Sequence, residues 1–275
     1  MDKNININDI EFTVFDLETT GLDQGSGDRV VEIAGIRFKG DQRKGEFQSL
    51  VNPQRAISPG AFEVNRITPE MIRGAPKIDQ VLPEFLKFIQ GSCLCSYNAA
   101  FDMGFLNNEL KIIANGDLGD IQVVDILKMS RRLMPELGRY PLWFVAESLG
   151  CKSRQEHRAL SDAELTVAVF NKLKAKLSEK GILDYNNFTS LFGLNSNFLQ
   201  NLSDQKIAKI NEALNLGVRL KIRYLSGASA KVSEREVVPK EIRMEGKIVY
   251  LAGHCCLRND LRTFRVDRIL HLEII

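Results

Sequence analysis

The alternation of apolar and polar positions predicts a mixed α/β unit over the first two thirds of the chain. Short apolar or alternating runs typical of strands lie at 12–18, 30–38, 46–51, 93–98 and 121–124. Helical periodicity lies at 80–90, 101–114, 126–133, 142–149 and 158–177. The first three strands follow one another directly, which favours an antiparallel meander, whereas the later alternation of strand and helix favours parallel additions.

A second pattern begins near residue 204. A short helix ending at Gly217 is followed by runs that alternate with a period of two, at 218–226, 233–243, 247–255, 261–269 and 270–275. Such runs suit a small, mostly-β sheet or barrel with one solvated face. Between 179 and 203 the pattern weakens, and this composition predicts a linker with some packing of its own. We therefore expect domains at 1–178 and 204–275, with a linker at 179–203.

Four carboxylates and one histidine carry the candidate chemistry. Asp16 and Glu18 end an apolar strand and, two residues apart, leave the same face. Asp102 begins an amphipathic helix, and His157 lies in a loop before the helix that carries Asp162. Charges at such inward-facing positions are costly unless a cation holds them, so this set predicts a hydrolytic site for divalent metal ions.

Each residue taken alone has a simpler interpretation. A single acid in Asp-x-Glu more often caps a loop or pairs with an arginine, but Asp16 and Glu18 together favour a metal site. His254 and His271 have no acidic partner at a comparable spacing, so we interpret them as surface histidines. Asp125, which follows the strand at 121–124, is interpreted as structural.

Three segments in this order resemble the motifs of the DEDDh exonuclease family, which includes bacterial proofreading subunits and oligoribonucleases. They read Asp16-x-Glu18, Asn98-x-x-Phe101-Asp102-x-x-Phe105-Leu106 and His157-x-Ala159-x-x-Asp162, and the resemblance covers about residues 10–178. It implies a ribonuclease H-like mixed sheet flanked by helices, and a 3'–5' exonuclease that releases nucleoside monophosphates from single-stranded or frayed ends, with DNA favoured. Two Mg²⁺ or Mn²⁺ ions would bind the four acids, and His157 would act as general base, as suits an imidazole, which titrates near neutral pH.

The resemblance also implies contacts with the terminal nucleotide. The candidates are Thr19, Thr20, Leu22, Ile67, Asn98 and Phe101. Ile67 would wedge against the last base, as in the family's His-Gly-Ile-Thr stretch. Here Asn65 and Arg66 replace the His-Gly pair, and glycine permits backbone conformations that arginine rarely adopts.

Charge and composition limit the remaining possibilities. The 275 residues carry 37 Lys+Arg and 35 Asp+Glu, a net charge of +2. Residues 205–275 hold 14 basic and 8 acidic side chains, which is +6 and leaves −4 for residues 1–204. Neither a spanning apolar stretch nor a signal-peptide pattern is present, and the five cysteines show no metal-binding spacing. We expect a cytoplasmic protein without a disulfide framework.

The positively charged C-terminal segment resembles the WYL domain of bacterial regulators. The likeness lies in Tyr224, in 234–239, in Tyr250-Leu251 and in 262–269, although Val249 stands where that family has tryptophan. It implies an Sm-like or SH3-like barrel that binds nucleic acid or a nucleotide-like ligand in a basic groove. The candidate groove residues are Arg219, Lys221, Arg223, Tyr224, Arg235, Tyr250, Arg262, Arg265 and Arg268.

Two other functions remain open at the level of sequence. One is an oligoribonuclease-like RNA exonuclease, because a contact with the 2'-hydroxyl cannot be recognised in the sequence. The other is a ligand-controlled regulator that binds nucleic-acid ends without turnover. The complete set of four acids and His157 favours an enzyme.

Overall fold

The computed structural model describes residues 5–114, 116, 118–151, 155–194 and 197–275 of the chain. These described residues form ten strands: β1 (Glu11–Thr19), β2 (Val30–Lys39), β3 (Gln42–Leu50), β4 (Cys93–Ser96), β5 (Val123–Asp125), β6 (Leu220–Leu225), β7 (Val232–Glu245), β8 (Ile248–Cys255), β9 (Asp260–Arg265) and β10 (Ile269–Ile274). The helices within the described ranges are α1 (Pro59–Asn65), α2 (Pro69–Arg73), α3 (Ile78–Ile89), α4 (Ala99–Ala114), α5 (Ile126–Leu133), α6 (Leu142–Ser148), α7 (Ala159–Glu179), α8 (Tyr185–Phe192) and α9 (Asn197–Leu216).

The first sheet is mixed and has the strand order β3-β2-β1-β4-β5. β1, β2 and β3 pair antiparallel, and β4 and β5 add in parallel beside β1. This arrangement confirms the ribonuclease H-like fold class predicted from the sequence. We call β1–β5 with α1–α7 the α/β unit.

Both faces of β1 are buried, which explains its nearly continuous apolar run. Phe12 and Val14 face a core that α7 completes, and Phe15 and Leu17 face a second core formed with α3 and α4. Because side chains alternate along a strand, Asp16 and Glu18 continue the face of Phe12 and Val14. The two acids therefore leave the end of the strand on the same side as α7.

The second sheet is antiparallel, with the order β10-β6-β7-β8-β9. β7 is long enough to pair with β6 through Val232–Val237 and with β8 from Val237 onward, and its register shifts between Pro239 and Glu241. α9 packs on this sheet through Ile210 and Ala213. We call α9 with β6–β10 the β unit. Its mostly-β character agrees with the prediction, and closure into a barrel, which needs β9 to meet β10, stays a prediction.

The segment predicted to be a linker contains α8 and the start of α9, while residues 195 and 196 lie outside the described residues. α8 packs into the core of the α/β unit through Phe188 and Phe192. The same core includes Leu225 of β6 and Leu270 of β10. The two units thus share apolar packing, and the division at 178 and 204 remains a prediction.

The described helices do not include one of the length and hydropathy required to span a bilayer.

Candidate active site

Three carboxylates converge at the end of β1. Oxygen atoms from Asp16, Glu18 and Asp162 lie within 4.8 Å of one another. Asp162 stands in the first turn of α7, which packs across β1 and β2. Strand alternation and the position of one helix end therefore bring together acids that are about 145 residues apart in the sequence.

Asp102 supplies the fourth acid from the first turn of α4, which follows β4 directly. Its side chain is buried, and the Ser96 hydroxyl at the end of β4 donates a hydrogen bond to it. β4 pairs in parallel with β1, so the helix that follows it begins at the edge of the sheet where Asp16 lies. The charge of Asp102 contributes to the pKa shifts of both Asp16 and Glu18.

His157 lies in a loop that Asp162 holds in place. The backbone N–H groups of Glu156 and His157 donate to Asp162 Oδ1 at 3.1 and 3.3 Å, and Gln155 Nε2 donates to Oδ2 at 3.0 Å. The His157 ring keeps 46% of its side-chain surface exposed, with Nδ1 4.0 Å from Asp162 Oδ2. His157 has φ +55°, a left-handed conformation uncommon outside glycine, which is typical of a functionally constrained position.

The cluster carries strong mutual repulsion. Burial, with the charges of Asp162 and Glu32, raises the pKa of Glu18 to about 8. Burial raises the pKa of Asp102 to about 7. Burial, then the charges of Asp102 and Glu18, raise the pKa of Asp16 well above its usual value. Since these shifts arise from desolvation and like charge, a bound cation would reverse them.

A buried ion pair fixes the start of α7. Glu32 on β2 is 0% exposed and accepts from Arg158 Nε at 3.0 Å, Arg158 Nη2 at 2.8 Å and the Ala159 backbone N–H at 3.1 Å. Burial alone would raise the pKa of Glu32, but Arg158 and Ala159 hold it below its usual value. Arg158 therefore anchors the loop of His157 to the sheet. Sequence reasoning missed Glu32, although a charge inside the apolar run of β2 was a signal that it needed a partner.

A cavity of about 590 Å³ opens beside the acids. It is lined by Asp16, Leu17, Glu18, Thr19, Gly21, Leu22, Asp28, Ser58, Gly60, Ala61, Val64, Asn65, Tyr97, Phe101, Asp102, Gln155, His157 and Asp162. All five predicted catalytic residues line this cavity. Thr19, Leu22 and Phe101, predicted from family resemblance to contact substrate, line it as well, and Leu22 is 84% exposed.

The other three predicted substrate contacts lie elsewhere. Ile67 is completely buried with Val31 and Ile72, because the chain turns inward after α1. Thr20 is buried and donates to Asp28 Oδ1 at 2.9 Å, so it supports the loop rather than facing the cavity. Asn98 is exposed ahead of α4, with φ +69°. Val64, in contrast to Ile67, is 49% exposed and lines the cavity.

The Asn65-Arg66 departure from the family pattern has a structural explanation. Arg66 adopts φ +56°, the left-handed conformation that glycine favours, and ends α1 there. Asn65 is buried, donates to the Thr19 carbonyl at 3.3 Å and accepts from the Ile67 N–H at 3.0 Å. The backbone path is thus kept without glycine, and Asn65 ties α1 to the end of β1.

Tyr97, Asn65, Val64 and Gln155 line the cavity but were not predicted as site residues. Tyr97 and Gln155 lie close in sequence to the motifs of Asp102 and His157, and this proximity was the signal that could have identified them. Asp125, interpreted as structural, caps α5 by accepting from the Lys128 N–H at 3.0 Å.

The predicted basic residues of the β unit do not form a single groove. Tyr224, Arg235 and Arg262 line a cavity of about 620 Å³, together with Lys240, Arg243 and Thr263. The remaining predicted residues do not line this cavity. Arg219 pairs with Glu236, Lys221 with Glu234 and Arg265 with Asp267, while Arg223 donates to the carbonyls of Lys180 and Gly181. Tyr250 lies opposite Arg265 in the sheet, and Arg268 packs over Gly227. We call the 620 Å³ cavity the β-unit groove.

Comparison with known proteins agrees with this geometry. Residues 13–170 match the family model described as Exonuclease, and residues 205–274 match the WYL domain model. The chain is 37% identical over 181 residues to a DNA polymerase III PolC-type of Caldanaerobacter subterraneus subsp. tengcongensis, and 32% identical over 184 residues to that of Staphylococcus aureus. These matches cover 66% and 67% of this chain but only 13% of each polymerase.

A solved structure shares the fold of the α/β unit. The cell-death related nuclease 4 (CRN-4) aligns with a TM-score of 0.54 at 14% identity, covering 61% of this chain and 64% of that one. The exonuclease model spans more than half of the chain, and the residues it spans contain the four converging acids and the histidine. The protein therefore belongs to the Exonuclease family and carries a C-terminal WYL domain.

Proposed function

We propose that this protein is a metal-dependent 3'–5' exonuclease that releases nucleoside monophosphates from single-stranded or frayed nucleic acid in the cytoplasm. The observation that carries the proposal is the convergence of Asp16, Glu18 and Asp162 within 4.8 Å, beside a half-exposed histidine and an open cavity. Among the described residues, no lysine or arginine pairs with Asp16, Glu18, Asp102 or Asp162, and such a cluster of acids is costly unless a cation holds it.

The donor set suits hard divalent cations. Carboxylate oxygens are the ligands that Mg²⁺ and Mn²⁺ prefer, and Asp16, Glu18, Asp102 and Asp162 supply them from three separate elements. When bound, a pair of such ions would neutralise the charge that develops on the phosphoryl oxygens during phosphodiester cleavage. The raised pKa values of Glu18 and Asp102, at about 8 and 7, support a site that is complete only with cations.

His157 is the proposed general base toward the attacking water. Its ring is the nearest imidazole to the acids, and its loop is fixed by three hydrogen bonds to Asp162. The donors of these bonds are two backbone N–H groups and the Gln155 side chain, so they leave the imidazole ring able to turn toward the cavity. A base held by its backbone can accept a proton and then release it to solvent through the exposed side of the ring.

The cavity suits a terminal nucleotide. Its volume of about 590 Å³ lies in the range of small-ligand sites, and it combines apolar walls from Leu22, Val64 and Phe101 with acids at one end. Apolar and aromatic side chains accept the flat face of any base, so this composition supports removal of residues irrespective of sequence. We favour DNA because relatives that match the chain are named as DNA polymerases.

The β-unit groove is the proposed site for nucleic acid or a nucleotide-like ligand. Arg235, Arg243 and Arg262 line it together with Tyr224, which offers charge for phosphate and an aromatic ring. We propose that the groove raises the local concentration of substrate or controls access to the catalytic cavity.

The test is degradation of matched DNA and RNA oligomers labelled at either end, with Mg²⁺, Mn²⁺ or a chelator. We expect the 3' end to be shortened one residue at a time, only with added metal, and faster on DNA. Asp16→Asn should reduce the rate by about 10³-fold or more, since it removes a charged ligand from the centre that stabilises the transition state.

Asp79→Asn is the matched control, because Asp79 is an exposed acid in the first turn of α3. Its rate should equal that of the unchanged protein. Binding of oligomers without turnover in Mn²⁺ would favour the regulator instead, and faster cleavage of RNA would favour the oligoribonuclease-like enzyme.

A further inference from the structure

A second cavity lies where the two units meet. It has a volume of about 260 Å³ and is lined from α5, α8, α9, the β7–β8 turn and the end of β9. At roughly 30 Å³ per water molecule it has room for about eight waters, so a small polar group fits. We call it the junction cavity.

The walls of the junction cavity carry an excess of positive charge. Lys128, Lys206, Lys247 and Arg265 line it, and Asp267 is the acidic residue among its lining side chains. Asp267 is already shared, since Arg265 Nη2 donates to its Oδ2 at 2.8 Å and Arg132 Nη2 at 2.5 Å. Its charge also favours the charged forms of Lys128 and Lys206, but one carboxylate leaves the four cations of the walls in excess.

The two inner lysines are held without carboxylate partners in the described part of the chain. Lys128 Nζ donates to the Gly193 carbonyl at 2.8 Å, and Lys206 Nζ donates to the Ile269 carbonyl at 2.7 Å and the Ser190 hydroxyl at 3.3 Å. An ammonium group has three donors, so each retains unused hydrogen-bonding capacity. The carbonyl bonds fix both groups in place.

The charge on these lysines is costly in the free protein. Burial and the charge of the neighbouring Arg132 lower the pKa of Lys128 to about 8. Burial also lowers the pKa of Lys206 to about 8. Arg132 is 6% exposed, and its Nη1 has no hydrogen-bond partner among the described residues. A cluster of this kind gains most from a compact anion with several acceptor oxygens.

We propose that the junction cavity binds a phosphate group, either as the free ion or as part of a nucleotide. Lys128, Lys206 and Lys247 supply donors from three elements that belong to both units, and the preset lysine positions lower the entropy cost of binding. A phosphate there joins the α/β unit to the β unit. The site is separate from the β-unit groove, which shares none of its lining residues.

The experiment measures phosphate binding to the full chain by calorimetry and by thermal unfolding, without divalent metal and at constant ionic strength set with chloride. Saturable binding that raises the unfolding temperature is expected, because a ligand that binds only the folded state stabilises it. Lys206→Met should weaken the affinity at least tenfold. Lys209→Met, on the exposed face of the same helix, is the matched control and should bind as the unchanged protein does.

Lys247→Met provides a second variant should Lys206→Met fail to fold. Lys247 is exposed at the mouth of the cavity and makes no hydrogen bond or ion pair with the described residues, so its loss should weaken binding without disturbing the interface. Comparison of inorganic phosphate with a deoxynucleoside monophosphate separates the two sources. Tighter binding of the nucleotide, lost in both lysine variants, identifies a nucleotide site, and equal binding identifies free phosphate.

Two results would overturn the proposal. One is an unfolding temperature that responds to phosphate no more than to chloride. The other is binding that survives both lysine substitutions but disappears in Arg235→Met, since phosphate would then occupy the β-unit groove. Neither result would affect the catalytic assignment, which is measured by cleavage of oligomers.

Discussion

At the scale of single residues, the catalytic centre is a set of carboxylates close enough to repel one another strongly when all of them are charged. Asp16, Glu18 and Asp162 meet within 4.8 Å, and Asp102 is buried beside them. The nearby cation Arg158 is committed to Glu32 and does not line the catalytic cavity. Repulsion among the acids is therefore a property of the metal-free protein, and it has a measurable consequence.

Without divalent metal, the free energy of unfolding should fall as pH rises from about 5 to 8. A group whose pKa is raised by folding stabilises the fold below its unfolded pKa, and that contribution is lost as pH rises through the folded pKa. Glu18 moves from 4.5 to about 8 and Asp102 from 3.8 to about 7. Urea unfolding at several pH values, with and without Mn²⁺, measures this.

Added Mn²⁺ should restore the lost stability most strongly at pH 8, and Asp16→Asn should flatten the pH dependence of the metal-free protein. Stability that is constant across this range, or a metal effect of equal size at pH 5 and pH 8, would contradict the electrostatic account.

His157→Ala should reduce kcat by about 10²- to 10⁴-fold, the usual contribution of a general base, with little change in KM. The reason is that its ring lies beside the acids while the loop backbone holds its position through Asp162. His271→Ala, at an exposed position of β10, is the control for loss of an imidazole. Equal rates for the two variants would remove His157 from the mechanism.

The sequence predicted the acids and His157 because strand alternation and motif order determine where they point. It predicted Thr19, Leu22 and Phe101 of the cavity lining but missed other neighbours, such as Val64. Ile67 has the right type for a base wedge, yet α1 ends in a left-handed turn at Arg66 that directs Ile67 into the core. Such a turn depends on tertiary contacts, here those of Asn65 with Thr19, which a local pattern does not encode.

At the scale of elements, the start of α7 is positioned by the sheet it crosses. The ion pair between Glu32 and Arg158 links the residue before α7 to the third residue of β2. Asp162 and His157 stand on either side of this link, so its geometry determines how the third motif faces β1. The pair acts through position and does not contact the cavity.

Arg158→Met should lower kcat by about tenfold and leave KM for oligomers nearly unchanged, because a misplaced helix start disturbs the geometry at the reacting atoms. Arg158→Lys should recover part of the activity. The free energy of unfolding should also fall by about 1–3 kcal/mol, since the Glu32 carboxylate loses its main partner in the core.

Arg43→Met is the control. Arg43 on β3 pairs at 3.1 Å with Glu164 of α7, but both side chains are about half exposed. It should change neither rate nor stability. A parallel loss of kcat in both variants would show that any weakening of α7 has the same effect.

The longer elements were predicted from their apolar periods, whereas three of the shorter helices, α1, α2 and α8, were missed. The apolar periods of β1, β2 and α7 extend over 9, 10 and 21 residues, enough to show a period clearly. α1 and α2 have only 7 and 5 residues, and α8 has 8. Their signals were the caps: Ser58 and Thr68 each stand before a proline, and Asp184 accepts from the Asn187 N–H.

At the scale of the whole molecule, the two units are joined by both apolar packing and a buried ion pair. Leu225 and Leu270 enter the core of the α/β unit, and Asp267 binds Arg132 from α5 at 2.5 Å. Arg132 is almost fully buried, so its charge depends on a residue of the β unit. Sequence periods within each unit could not reveal this, because the contact joins positions 135 residues apart.

Asp267→Ala should lower the free energy of unfolding by about 2–3 kcal/mol, between the values for exposed and fully buried pairs, because it strands the buried Arg132 cation. The Arg132 and Arg265 partners hold the pKa of Asp267 at about 2, so this stabilisation is present above pH 4 and is lost as pH falls through 2. Thermal unfolding at pH 7 measures the difference. Glu70→Ala, from an exposed pair with Arg73, should have almost no effect.

The shared core has a consequence for recombination of genes. A WYL segment cut out at residue 204 and fused to another enzyme would leave behind Phe188 and Phe192, and would display Leu225 and Leu270 to water. A functional fusion should therefore need α8, or an equivalent apolar surface on the new enzyme, to cover these two leucines. Packing alone therefore predicts that the two units are most stable when they stay in one chain.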